Sequence, residues 1–191
     1  MRGTLVFLLA VFGCCCTVKC GIVSKCELWS LMSKEAEQAG MTENFVAKIV
    51  CHAELVSDFN TNAVKELVCE TNPQEQTDPQ QPSPQPHLQH SCEDSEEMGT
   101  LYGLFQLSSK LTCSDGTNPS PNICNIDCED LLDNNIDDDF QCLLTFFRHL
   151  VKNAFGTADS KGLQKMFQFI MQEECRNVEY SEYFAECLRN D

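Results

Sequence analysis

Positive charge is scarce in this chain of 191 residues: 13 Lys and Arg stand against 29 Asp and Glu, a formal net charge of −16 at pH 7. Such a balance repels nucleic acid, anionic membranes and anionic bacterial walls, and it attracts cations. Long apolar runs are missing as well. The only extended one, Leu5 to Phe12 in MRGTLVFLLAVFGCCCTVKCG, is too short to span a bilayer. No N-x-[ST] sequon, glycine-rich phosphate loop or nucleophile elbow with Ser, His and Asp in order is found, which removes N-glycosylation, P-loop and serine-hydrolase readings. Tryptophan is down to Trp29 alone, which its place in an apolar helical pattern assigns to the core.

What is present begins with that opening stretch. Arg2 ahead of the apolar run and small residues behind it are the layout of a secretory signal peptide over 1–20, cleaved near Cys20 or Gly21. Cleavage leaves roughly 170 residues, enough for one domain over 21–191. It also removes Arg2 and Lys19 but no acid, so the secreted chain is more negative still. Four of the 14 cysteines lie in this leader. The others, Cys26, Cys51, Cys69, Cys92, Cys113, Cys124, Cys128, Cys142, Cys175 and Cys187, are an even set in a chain marked for export, and read as five disulfides. The expected location is extracellular.

Apolar periodicity is helical at both ends of the chain and irregular between. Leu28, Trp29, Leu31 and Met32 predict a helix over Cys26–Gln38 that Gly40 stops, and Thr42 is the expected N-cap of a second helix through Phe45, Val46, Ile49 and Val50 to about Ser57. After Cys69 the run TNPQEQTDPQQPSPQPHLQH predicts a disordered or polyproline-like insertion over about 71–97, which Cys69 and Cys92 are expected to close with a bridge. His87 and His90 beside Cys92 suggest zinc only weakly, because an oxidised cysteine is no ligand. Residues 99–111 alternate as one or two short strands. Phe140, Leu143, Leu144, Phe147, Leu150 and Val151 predict a helix from about Asp138, Leu163–Ile170 another, and Tyr180–Leu188 a short last one.

The runs KCELW, YGLFQLSSKLTC, NICNIDC and LLDNNIDDD, with the spacing of Cys113, Cys124, Cys128 and Cys142 and the step from Cys175 to Cys187, resemble the c-type lysozyme and alpha-lactalbumin family. The resemblance implies an α+β, two-lobed, disulfide-stapled fold: a helical lobe from about 21–60 and 138–191, a small antiparallel sheet lobe from about 61–137, and a cleft between them. It implies the bridges Cys26–Cys187, Cys51–Cys175, Cys113–Cys128 and Cys124–Cys142, with Cys69–Cys92 as an addition beside the insertion.

Lytic members of that family cut a glycosidic bond with two acidic side chains, one to protonate the leaving oxygen and one to stabilise or trap the sugar cation. Counted from Cys51 and from Tyr102–Gly103, those positions fall on Val56 and Leu101. Neither side chain moves a proton or carries charge, and general acid catalysis alone is worth about 10² to 10⁴ in rate. Glu54 is two residues away, about 200° around the helix, Asp58 is displaced too, and Glu96 and Glu97 belong to the insertion. The positions that supply sugar-stacking indoles hold Leu111 and Thr112, leaving Leu111 as an apolar wall.

The segment LDNNIDDDF answers to the family's calcium-binding branch. The resemblance implies side-chain ligands Asp133, Asp138 and Asp139 and main-chain carbonyl ligands at Asp130 and Asn135. Ca²⁺ takes about 6 to 8 oxygens, for which three carboxylates, two carbonyls and water are a suitable set; the segment is not an EF-hand, having neither its glycine nor its closing Glu. Aspartates at a helix N-terminus also complement the helix dipole without any ion. The expectation is therefore a secreted, calcium-binding, non-catalytic relative that acts on a protein or glycan partner, monomeric, without nucleic acid or membrane; the alternative is a lysozyme hydrolysing β-1,4 linkages of peptidoglycan. Glu54 and Leu55 replace the aromatic and histidine with which alpha-lactalbumin meets its transferase, while Tyr183 and Phe184 are candidates for an interface or for the core.

Overall fold

Residues 21–67, 97–153 and 160–190 are described by this computed structural model. The leader, most of the proline-rich insertion, the Cys69–Cys92 pair, His87, His90 and Glu96 lie outside them. Along the chain run α1 (Lys25–Gln38), α2 (Glu43–Ser57), β1 (Val64–Glu66), β2 (Thr100–Tyr102), β3 (Leu107–Ser108), a 3-10 turn (Cys128–Leu132), α3 (Ile136–Asn153), α4 (Ser160–Ile170), a second 3-10 turn (Glu173–Cys175), α5 (Tyr180–Tyr183) and a third 3-10 turn (Leu188–Asn190). The fold is α+β.

Local chemistry sets the ends of the first two helices. Ser24 caps α1 by accepting from the Glu27 amide at 3.2 Å, and Thr42 caps α2 by accepting from the Phe45 amide at 3.3 Å. Asp58 ends α2 in the left-handed region at φ 51°, a conformation short polar side chains tolerate. Leu28, Met32 and Ala36 of α1 and Val46, Ile49, Val50 and Ala53 of α2 form buried stripes at helical spacing. They meet Phe140, Leu143 and Phe146 of α3 and Leu163, Met166 and Ile170 of α4 in one core.

The sheet is antiparallel with order β1-β2-β3, and Leu101 is central, opposite Lys65 on one side and Ser108 on the other. Bridges Cys26–Cys187 and Cys51–Cys175 tie α1 and α2 to the C-terminal segment, and Cys113–Cys128 and Cys124–Cys142 tie the irregular stretch to the 3-10 turn and α3. The first two close loops of 161 and 124 residues, each of a length at which cross-linking restricts the unfolded chain most.

One expectation is corrected, the length of the last helix, and three features go beyond the periodicity. Leu31 is 44% exposed and Val151 82%: Leu31 stands beside the Leu28–Met32–Ala36 stripe, and Val151 lies in the last turn of α3, where the periodicity continues and the core does not. The last helix is one turn long, because the backbone leaves helical geometry at Phe184 (φ −101°, ψ 17°) ahead of the bridge at Cys187. Strand β1, with all three side chains exposed, has no apolar alternation and exists by pairing with β2.

Candidate functional site: a hydrocarbon cleft position and an aspartate loop

Val56 occupies the last turn of α2 and is half-buried, packed against the core. Leu101 is completely buried at the centre of β2. Among the described residues, the acids that flank them in sequence are placed otherwise. Glu54 accepts the phenol proton of Tyr183 and lies 4.0 Å from the Lys25 ammonium, which turns it toward the C-terminal segment. Asp58 is the exposed C-cap, and Glu97 is half-buried at the edge of the described residues. Burial and the Glu54 carboxylate push the Tyr183 phenol up, so it stays protonated.

The expected apolar wall is not presented to solvent. Leu111 is 3% exposed and Thr112 not at all; the Thr112 hydroxyl donates to the Ser108 carbonyl at 2.7 Å. A side chain at Gly162, in the first turn of α4, would lie 3.9 Å from Leu111, so that helix reaches the residue expected to form the apolar wall. Trp29 is half-buried against Phe184, the rings 5.5 Å apart and stacked; Phe184 is core, and Tyr183 carries the Lys25 ammonium over its ring.

Chemistry of another kind gathers at the aspartate loop. The 3-10 turn is closed by a capping box, in which the Asp127 amide donates to the Asp130 carboxylate at 3.1 Å. Beyond it the Asn135 amide donates to Asp133 at 2.6 Å and the Asp139 amide to Asp138 at 3.0 Å. Asp139 is 1% exposed and its Oδ1 has no hydrogen-bond partner among the described residues, although the Leu104 amide reaches the same carboxylate. Burial, then Asp138, then Asp133 push the Asp139 carboxyl up to about 8; burial also raises Asp138.

A wholly buried carboxylate oxygen without a donor is costly, and this one sits where hard oxygen donors accumulate. Asp133, Asp138 and Asp139, with the carbonyls of Asp130 and Asn135, fit a calcium ion in donor chemistry. The three carboxylates feel one another's charge, yet their oxygens do not all lie within 4.8 Å of one another. The one cluster of metal-type side chains within that distance among the described residues, Cys26, Glu186 and Cys187, is no thiolate site because its cysteines are bonded to each other.

His52 was passed over in the sequence, where it stands inside the apolar run FVAKIVCHAELV. It is fully buried one turn before Val56, with Nε2 3.1 Å from the Phe105 carbonyl, Nδ1 3.3 Å from the Gln172 amide nitrogen, and the Phe169 ring edge-on at 5.1 Å. Burial brings its imidazole down to about 4. The neutral ring has one N–H to donate, and the Phe105 and Phe169 carbonyls both face it as acceptors, with the Gln172 amide beside Nδ1.

The model of the C-type lysozyme/alpha-lactalbumin family matches residues 87–180. Lysozyme C of Equus asinus is 33% identical over 167 residues, 87% of this chain and 98% of that protein, and the milk isozyme of lysozyme C from Equus caballus is 32% identical over 166 residues with the same coverage. In three dimensions a calcium-binding lysozyme from equine milk superposes with a TM-score of 0.53 at 31% identity, over 87% of this chain and 98% of that one. Sequence identity over almost the whole length of those proteins and a shared α+β fold lead to one conclusion: the chain belongs to the C-type lysozyme/alpha-lactalbumin family.

Proposed function

We propose that this protein is a secreted, calcium-binding and non-catalytic member of its family, which acts by binding a protein or glycan partner. The observation that carries the catalytic half is hydrocarbon at both catalytic positions, Val56 and the wholly buried Leu101. Glycoside cleavage by this family's route needs a proton donor and an anionic stabiliser on either side of the bond. The described acids nearest in sequence, Glu54 and Asp58, are engaged or turned elsewhere. Export is supported by the four disulfides and the apolar leader.

The calcium half rests on Asp139. Its buried, unpartnered oxygen, with Asp138 and Asp133 beside it and the carbonyls of Asp130 and Asn135, makes the donor set. A bound Ca²⁺ would neutralise carboxylates that otherwise repel. Asp133 and Asp138 are oriented by the Asn135 and Asp139 amides, and Asp139 by the Leu104 amide.

The competing reading is a lysozyme cutting peptidoglycan, supported by the name lysozyme C that its equine relatives carry. Hydrolysis of peptidoglycan and chitin oligosaccharides decides between them, run from pH 4 to 8 with the calcium-saturated protein and a Val56→Glu, Leu101→Asp double variant. We expect no turnover from the natural protein and measurable turnover from the variant. Turnover by the natural protein at the rate of a lytic relative ends the non-catalytic reading.

A further inference from the structure

On the far side of His52 from the hairpin, α2, α4 and the second 3-10 turn enclose an open groove of about 570 Å³, within the size range of ligand sites. Two cations, Lys48 and Arg176, line it together with one carboxylate, Glu173. Lys48 is half-buried on α2 and has no ion-pair or hydrogen-bond partner among the described residues, in a chain with 29 acids available. Arg176 meets only Glu173, at 3.8 Å with both side chains exposed, a contact that contributes little and exchanges readily with water or ligand. Phe167, 37% exposed, and the half-buried Met171 form the apolar part of the lining, and Gln168 and Gln172 bring amides to it.

Two contacts fix the walls. Cys51–Cys175 joins α2 to the 3-10 turn, and Phe169 of α4 lies edge-on against His52 of α2. His52 stands one turn after Lys48 on the same helix face, and a fully buried imidazole is an expensive way to fill a core. Its Nδ1 lies 3.3 Å from the Gln172 amide nitrogen, a contact that holds that side chain at the groove. A site so held is prepared before any ligand arrives.

We infer that this groove binds a carboxylated sugar, the acidic residue of a glycan. Lys48 and Arg176 receive the carboxylate, Gln168 and Gln172 take ring hydroxyls, and the C–H face of the sugar lies on Phe167. The net charge of −16 does not prevent this, since charges beyond a Debye length of about 8 Å are screened at physiological salt while the two cations act at contact. His52 is a positioning residue for Gln172. The inference rests on the partner-binding part of the function proposed above, whose glycan it specifies; calcium and the substitutions at Val56 and Leu101 do not enter it, so failure of sugar binding leaves the calcium-binding and non-catalytic parts standing.

The test is calorimetric and NMR titration of the calcium-saturated protein with the methyl glycosides of N-acetylneuraminic acid and glucuronic acid. Methyl β-galactoside serves as the neutral sugar and 3-phenylpropionate as an acid without hydroxyls. At least one acidic sugar should shift the resonances of Lys48, Phe167 and Gln172 and bind about tenfold more tightly than the neutral one. Lys48→Gln and Arg176→Gln should each weaken it about tenfold with unchanged melting temperature; each loses a charge-assisted bond on an accessible side chain. The inference is overturned if neither acidic sugar binds, if binding survives Lys48→Gln undiminished, or if 3-phenylpropionate matches the sugars.

Discussion

Burial holds the His52 imidazole at about 4, whereas the unfolded chain titrates near 6.5. Between those values the unfolded state binds more protons than the folded one, so stability rises with pH. The full contribution is present above about 6.5 and is lost as pH falls toward 4, where it amounts to about 3 kcal/mol. Denaturant unfolding at pH 4.5 and pH 7, compared between the natural protein and His52→Gln, isolates this effect, because the variant should lose less stability on acidification. An imidazole resonance titrating between pH 6 and 7 instead would mean that His52 reaches water. The sequence alone offered little sign of this residue. A histidine in an apolar helical run is visible, but the partners that give it a role, Phe105 and Gln172, come from segments 53 and 120 residues away.

At the scale of elements, the β2–β3 turn and the aspartate loop are locked together at Gly103. Its φ of +71° is left-handed, and a Cβ there would lie 2.2 Å from the Leu131 carbonyl oxygen and 2.9 Å from Asp139 Oδ1. The first of these is main chain in the 3-10 turn and has little room to yield. Gly103→Ala should therefore destabilise by about 2–4 kcal/mol, the left-handed cost plus overpacking, and should weaken calcium binding because it presses on Asp139. Urea unfolding with a calcium titration checks both, and a variant as stable as the natural protein would mean that the turn can move away from the loop.

Elements of this kind were unequally legible. Helices α1 to α4 declared themselves through 3.6-residue periodicity and the capping residue Thr42, signals contained within a dozen residues. Strand β1 did not, since its exposed Val-Lys-Glu has no pattern of its own and is defined by its neighbour across the sheet. The reach of α4 to Leu111 was hidden for the same reason: it depends on how the segment between Cys142 and Cys175 returns to the body of the protein. The aspartate loop was readable residue by residue, while the burial of Asp139 and the contact from Leu104 needed the fold.

For the molecule as a whole, the excess of acid would make the proposed calcium a matter of stability. Asp139 is pushed up to about 8 in the calcium-free fold, above the ordinary carboxylate value near 4 that applies to the unfolded chain. The calcium-free folded state thus keeps a proton that the unfolded state has released, and its stability falls as pH rises from about 4 through 8. Calcium requires the ionised carboxylate, so its affinity increases over the same interval and its binding releases protons. The melting temperature in EDTA should accordingly be lower at pH 8 than Asp139→Asn would give, the variant having no such proton to lose. At about a thousandfold excess over Kd, bound calcium would add about 4 kcal/mol, or roughly 8–16 °C for a chain of this length, with the largest gain expected near pH 8. Calorimetric scans of both proteins at pH 5 and pH 8, with and without calcium, check the sign and the size together. An identical melt with and without EDTA at pH 8 would show that the buried carboxylate is not a calcium ligand, and the crowding of Asp133, Asp138 and Asp139 at the start of α3 would then stand as complementing its helix dipole alone.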